Sequence, residues 1–98
     1  MSFTSRVEFL GHPGVARQLA AGASSANTAL TAGIYRISMR AVGADIRFAI
    51  GQGAQTAAAT SSFIADGERL DFAVTNGANI AVLRDASTDG VLELTELG

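Results

Sequence analysis

A chain of 98 residues with a net charge of −2 and no cysteine is one domain on size, and it has neither a disulfide framework nor a thiolate metal site. A domain of this length buries only about 60–65% of its unfolded surface, and much of its 48% hydrophobic content is alanine, with five Phe and one Tyr as its bulky aromatics, so the core is thin and neighbouring subunits are an expected source of stability. All seven basic residues are arginines dispersed along the chain, which argues against a nucleic-acid footprint and reflects either a high-GC genome or a use for bidentate arginine contacts at interfaces.

The start, Met1-Ser2-Phe3-Thr4-Ser5-Arg6, lacks the basic stretch and long apolar run of a signal peptide. No segment approaches the roughly 18 uninterrupted apolar residues that span a bilayer. The expectation is synthesis in the cytoplasm and no membrane partner. Within residues 1–14, Val7-Glu8-Phe9-Leu10 precedes the break Gly11-His12-Pro13-Gly14, so this stretch is an N-terminal arm or an edge strand, followed by a single domain over residues 15–98. Val15-Ala16-Arg17-Gln18-Leu19-Ala20-Ala21 has helical propensity but is short and uncapped. An extended edge segment is favoured, with a short helix as the alternative.

From Ile34 onward a period of two dominates. Tyr35, Ile37, Met39 and Ala41 form one set, expected to face the core; Ile34, Arg36, Ser38 and Arg40 form the other. After Val42-Gly43-Ala44, residues Ile46, Phe48 and Ile50 alternate with Asp45, Arg47 and Ala49, and the two runs read as a hairpin. The small-residue run 51–62 is a long surface loop. Asp66-Gly67 suits a tight turn, Leu70, Phe72 and Val74 alternate with Arg69, Asp71 and Ala73, and Asn76-Gly77 is the strongest hairpin signal. The next strand, with Ile80 and Val82 on one face and Ala81 and Leu83 on the other, is apolar on both sides and so expected at a central position. Asp85 to Gly90 is a polar turn, and a last strand carries Leu92 and Leu94. Short strands at this spacing predict an all-β fold, a small antiparallel β-sandwich or barrel of jelly-roll-like form.

Chemistry is sparse. His12, the single histidine, reads as a solvated loop residue, with an interface or ligand role as the alternative; with one histidine and no cysteine a zinc site is not expected. Asp85-Ala86-Ser87-Thr88-Asp89-Gly90 has the look of a calcium loop but lacks its ligand spacing and terminal glutamate; side chains bonded to the turn backbone are the simpler account. Glu93 and Glu96 read as a solvated face, Asp66 and Glu68 as turn residues. Gly51-Gln52-Gly53 lacks the third glycine and following helix of a phosphate loop. No catalytic, cofactor or metal residues are assigned, and an enzyme is not expected. Arg36, Arg40 and Arg47 are the candidate interface residues: if their strands pair, they form a stripe on the outer sheet face, either solvated or paired with acids on a partner.

Ile34-Tyr35-Arg36-Ile37-Ser38, Asp45-Ile46-Arg47-Phe48-Ala49-Ile50-Gly51, the Ala/Thr/Ser loop, Ala65-Asp66-Gly67-Glu68 and Ala78-Asn79-Ile80-Ala81-Val82-Leu83, taken in order over about two thirds of the chain, resemble small bacteriophage virion proteins of the capsid decoration or cement type. The resemblance implies a homotrimer on the outer capsid surface at threefold or quasi-threefold positions, bound to the major capsid protein, with no cofactor and no nucleic-acid partner. A head fibre, tail or adaptor subunit is the alternative location. A carbohydrate-binding attachment module is a further alternative, weakened by the absence of tryptophan platforms.

Overall fold

The computed structural model describes residues 13–97, which form eight strands and no helix. They are β1 (Pro13–Ala21), β2 (Ala26–Ala29), β3 (Arg36–Val42), β4 (Ile46–Gln52), β5 (Ser62–Ile64), β6 (Arg69–Ala73), β7 (Ala78–Arg84) and β8 (Gly90–Leu97). A first sheet has the order β1-β8-β3-β6 and a second the order β2-β7-β4-β5. Every strand pairing is antiparallel. Pairs β1/β8, β2/β7, β3/β6 and β4/β5 nest inside one another and fall alternately in the two sheets. This is the jelly-roll arrangement: one long antiparallel hairpin, with β4 and β5 at its tip, wrapped into two facing sheets.

Alternation in the sequence explains which face of each strand is buried. Ile37, Met39 and Ala41 of β3, Ile46 and Phe48 of β4, and Leu92 and Leu94 of β8 point between the sheets, and all are buried. Ile50, Leu70 and Val74 pack against them from the margins. Phe48 on the second sheet meets Phe72 on the first at 5.7 Å between ring centroids, tilted by 52°, a favourable aromatic arrangement that stitches the sheets together. β7 is buried on both faces, with Ile80 and Val82 inside and Ala81 also fully covered, as its central place between β2 and β4 requires. The run 15–21 is strand rather than helix. It lies at the edge of the first sheet, where cross-strand hydrogen bonds to β8 outweigh a weak intrinsic preference, and β1 extends back to Pro13. The rest of the proposed arm, His12 included, lies outside the described residues.

Two expected hairpins are instead crossings between sheets. β3 pairs with β6 and β8, whereas β4 pairs with β5 and β7. At the bend, Gly43 adopts φ 89° and donates its N–H to the Asp66 carboxylate at 2.9 Å. The neighbouring turn 65–68 is tied back to β3 by Gly67 N–H to the Ala41 carbonyl and Ala41 N–H to the Glu68 carbonyl. These bonds hold the chain in an arch that leads away from its own sheet. Asn76-Gly77 likewise joins β6 of the first sheet to β7 of the second. A type I′ hairpin turn needs positive φ at both central residues, yet, while Gly77 has it (φ 78°), no non-glycine residue among those described does. With Ala78 N–H on the Thr75 carbonyl at 3.1 Å, the turn has the character of type II, which splays the flanking strands. Asn76 is further committed, since its side chain accepts the Gly33 N–H at 2.7 Å.

Two residues face the opposite way from expectation. Tyr35 stands just ahead of β3; its carbonyl accepts the Val74 N–H, but its side chain is not in the core, the residue being 57% exposed. Glu96 is not solvated: it is fully buried, continuing the inward row of Leu92 and Leu94. Its carboxylate accepts the Thr31 N–H and the Thr31 hydroxyl, both at 2.7 Å. Arg17 lies 3.6 Å from the same carboxylate and donates to the Thr31 hydroxyl at 3.0 Å. A buried charge requires such partners, and here they bind edge strand β1 to the connection between β2 and β3.

Candidate functional site

The predicted arginine stripe is divided by the crossing between β3 and β4. Arg36 and Arg40 lie on the outer face of the first sheet, Arg47 on the second. Arg47 is internally engaged: its Nε donates to Asp85 at 2.7 Å, its guanidinium donates to the Ser61 carbonyl at 3.0 Å, and it stacks over Phe63 at 4.8 Å. That set ties β4 to β5 and to the turn after β7.

Cross-strand register assembles a different group. Gln18, Glu93, Arg40 and Arg69 stand in one row across β1, β8, β3 and β6. The next row on the same face brings together Ala16, Thr95, Ser38 and Asp71, and Arg36 follows beyond it, between Leu97 and Ala73. Residues of all four strands border an open hollow of about 540 Å³. Arg69 is the functional candidate that sequence reasoning missed. Its alternation with Leu70 and Phe72 placed it outward, but only the pairing of β6 with β3 sets it opposite Arg40.

Like charges directly opposite one another across a strand pair are unfavourable. Neither Arg40 nor Arg69 forms an ion pair with a carboxylate among the described residues, although Glu93 and Asp71 share the face; Arg69 reaches only the Ser38 hydroxyl, at 3.3 Å. By contrast, Arg17, Arg47 and Arg84 are each set against an acid: Glu96, Asp85 and Asp89. The arrangement therefore presents two guanidinium groups, each a fork of donors suited to carboxylate, at the margin of a hollow.

The second sheet is partly covered by contrast. The loop over residues 53–61 folds across its outer face: Gln55 N–H donates to the Asn27 carbonyl oxygen Oδ1 at 2.8 Å, and Ala57 N–H donates to the Ser25 hydroxyl at 2.8 Å. Asn27 in turn donates to Asn79 on β7 at 3.1 Å. The predicted surface loop is thus tied back to the sheet, with Ala57 itself buried. Gly51 serves this closure, because the Gln55 side chain lies 2.9 Å from where a Cβ would stand.

A smaller hollow of about 240 Å³ is bordered by Gly43, Asp45, Asp66 and Thr88. Its two carboxylates are committed to backbone: Asp66 to the Gly43 N–H and Asp45 to the Asp66 N–H, at 2.9 and 2.8 Å. Asp85 and Asp89, read from sequence as turn-bonding groups, pair with arginines instead. No group of three or more His, Cys, Asp or Glu side chains among the described residues is placed to hold a metal ion. Comparisons with protein-family models, with curated proteins and with solved structures found no match to this chain.

Proposed function

We propose that this chain is a non-enzymatic virion structural protein that binds the outer surface of a phage capsid as a homotrimer and stabilises contacts between capsomers. The observation that carries the reading is the asymmetry of the sandwich: one sheet is partly covered by the 53–61 loop, while the other presents an open, arginine-bearing hollow across all four strands. A broad polar face of this kind suits docking on another protein surface. Three further features support it. The sequence resembles small capsid decoration and cement proteins over about two thirds of its length. The jelly roll is an architecture that viral capsid proteins use, as lectin domains and cupins also do, so its support is by fold analogy. Edge strands β1 and β6 of the first sheet leave backbone hydrogen-bonding groups that a neighbouring chain can cover.

In this role the individual contacts need not be strong. Repetition over a symmetric lattice multiplies modest contacts into high avidity. The protein is made in the host cytoplasm and resides on the virion, with the major capsid protein and its own copies as partners. The test combines solution mass by light scattering with the heat tolerance of capsids that lack the chain, measured before and after adding it. A trimer that raises the temperature at which the particles release their contents supports the proposal. A monomer that leaves particle stability unchanged sinks it.

A further inference from the structure

The geometry points to the outer face of the first sheet as the docking surface, and to an acidic, extended segment of the partner protein as its occupant, with a carboxylate seated between Arg40 and Arg69. This deepens the capsid-binding proposal and rests on it for the identity of the partner, though not for the chemistry of the site.

Charge complementarity selects the occupant. Arg40 and Arg69 face each other across β3 and β6, a placement that works against folding; Glu93 stands opposite Arg40 on β8, but no acid of the described chain comes within ion-pair distance of either guanidinium. A carboxylate from outside would. Both side chains are exposed, so no buried group has to be uncovered for the partner to enter. The hollow continues from them past Glu93, Thr95 and Gln18 to β1, which supplies hydrogen-bonding groups for the backbone of an extended segment. Nucleic acid is the poorer fit. Glu93 and Asp71 on the same face leave a place for a single carboxylate between the two arginines but oppose the charge that a phosphate backbone carries at every nucleotide, and a chain of net charge −2 with no lysine offers little counterion release.

The test uses the full-length protein and a fluorescein-labelled ten-residue peptide of alternating glutamate and glycine, read by anisotropy in low salt, with a single-stranded DNA oligonucleotide of equal charge as the second probe. Saturable peptide binding, weakened about tenfold in the Arg40→Gln/Arg69→Gln double variant and unchanged in Arg84→Gln, supports the inference. Equal losses in the Arg84→Gln control, no peptide binding by the wild-type protein, or DNA binding tighter than peptide binding with the same dependence on Arg40 and Arg69, would each overturn it. Capsid binding separates the two proposals. Wild-type protein that binds peptide but ignores capsids defeats the capsid reading alone, whereas a double variant that binds capsids as well as wild type defeats the docking surface alone.

Discussion

Replacing Glu96 with glutamine removes a buried charge while keeping nearly the same shape. In the wild-type protein the carboxylate accepts two hydrogen bonds of 2.7 Å from Thr31, one from the backbone and one from the hydroxyl. Bonds to an ionised group contribute about 1.5–3 kcal/mol each, against about 0.5–1.5 kcal/mol between neutral groups. Glutamine keeps one acceptor oxygen for the Thr31 N–H, while its amide nitrogen takes the place of the other oxygen, so the Thr31 hydroxyl must turn to accept rather than donate; the substitution therefore costs about 1 kcal/mol per bond. Loss of the 3.6 Å approach of Arg17, whose side chain is 29% exposed, adds less than about 1 kcal/mol after solvent screening. The total, about 2–3 kcal/mol, is a large share of the 5–15 kcal/mol typical of a whole domain. At about 4–8 °C per kcal/mol for a domain of this size, the melting temperature falls by about 10–20 °C. Urea unfolding followed by far-ultraviolet circular dichroism checks this, with an unchanged denaturant slope showing that stability alone has moved. Pairing Glu96→Gln with Thr31→Val in a double-mutant cycle should return a coupling of at least about 0.5 kcal/mol. A Glu96→Gln protein within about 0.5 kcal/mol of wild type would refute the view that this network anchors β1 to the β2–β3 connection.

The remaining substitutions separate folding residues from contact residues. Arg69→Gln relieves the opposition to Arg40 and should raise the melting temperature of the isolated protein by about 2–5 °C in calorimetry; a fall of that size would make Arg69 a folding residue. Arg47→Ala gives up the Asp85 and Ser61 bonds and the stacking on Phe63, so it should cost about 1–2 kcal/mol in urea titrations while leaving acidic-peptide binding intact. Asn27→Ala releases the 53–61 loop from the second sheet and should speed amide exchange at Gln55 and Ala57 well before it affects β3 or β8.

Strand identity was legible because alternation and turn chemistry are local. Ile37/Met39/Ala41 and Leu92/Leu94 announce their inward faces in sequence order, and Ala81 beside Ile80 and Val82 marks β7 as covered on both sides. Pairing was not legible, because it depends on which sheet receives the chain after each bend. Gly43 and Asn76-Gly77 look like hairpin signals, but the arch at Gly43 is set by a bond to Asp66 from a distant turn, and the second turn has only one residue at positive φ. The same gap hid the site: Arg40 and Arg69 lie 29 positions apart in sequence and become neighbours only through the β3/β6 register. Glu96 was misread because charge outweighed period. It sits two residues beyond Leu94 on the inward row, and the partners that make its burial tolerable come from Thr31 and Arg17, far away along the chain.

The capsid claim is tested most directly by the number of copies bound at saturation. Capsids lacking the chain are mixed with excess protein, sedimented through a density gradient, and the bound protein is quantified against the major capsid protein. Binding that saturates at many copies per particle, in multiples of three and with a free species near 30 kDa, three times the 10.0 kDa chain, is the predicted result. A few copies confined to one vertex would assign the chain to a fibre, tail or adaptor, and no binding at all would contradict a virion role on the capsid surface.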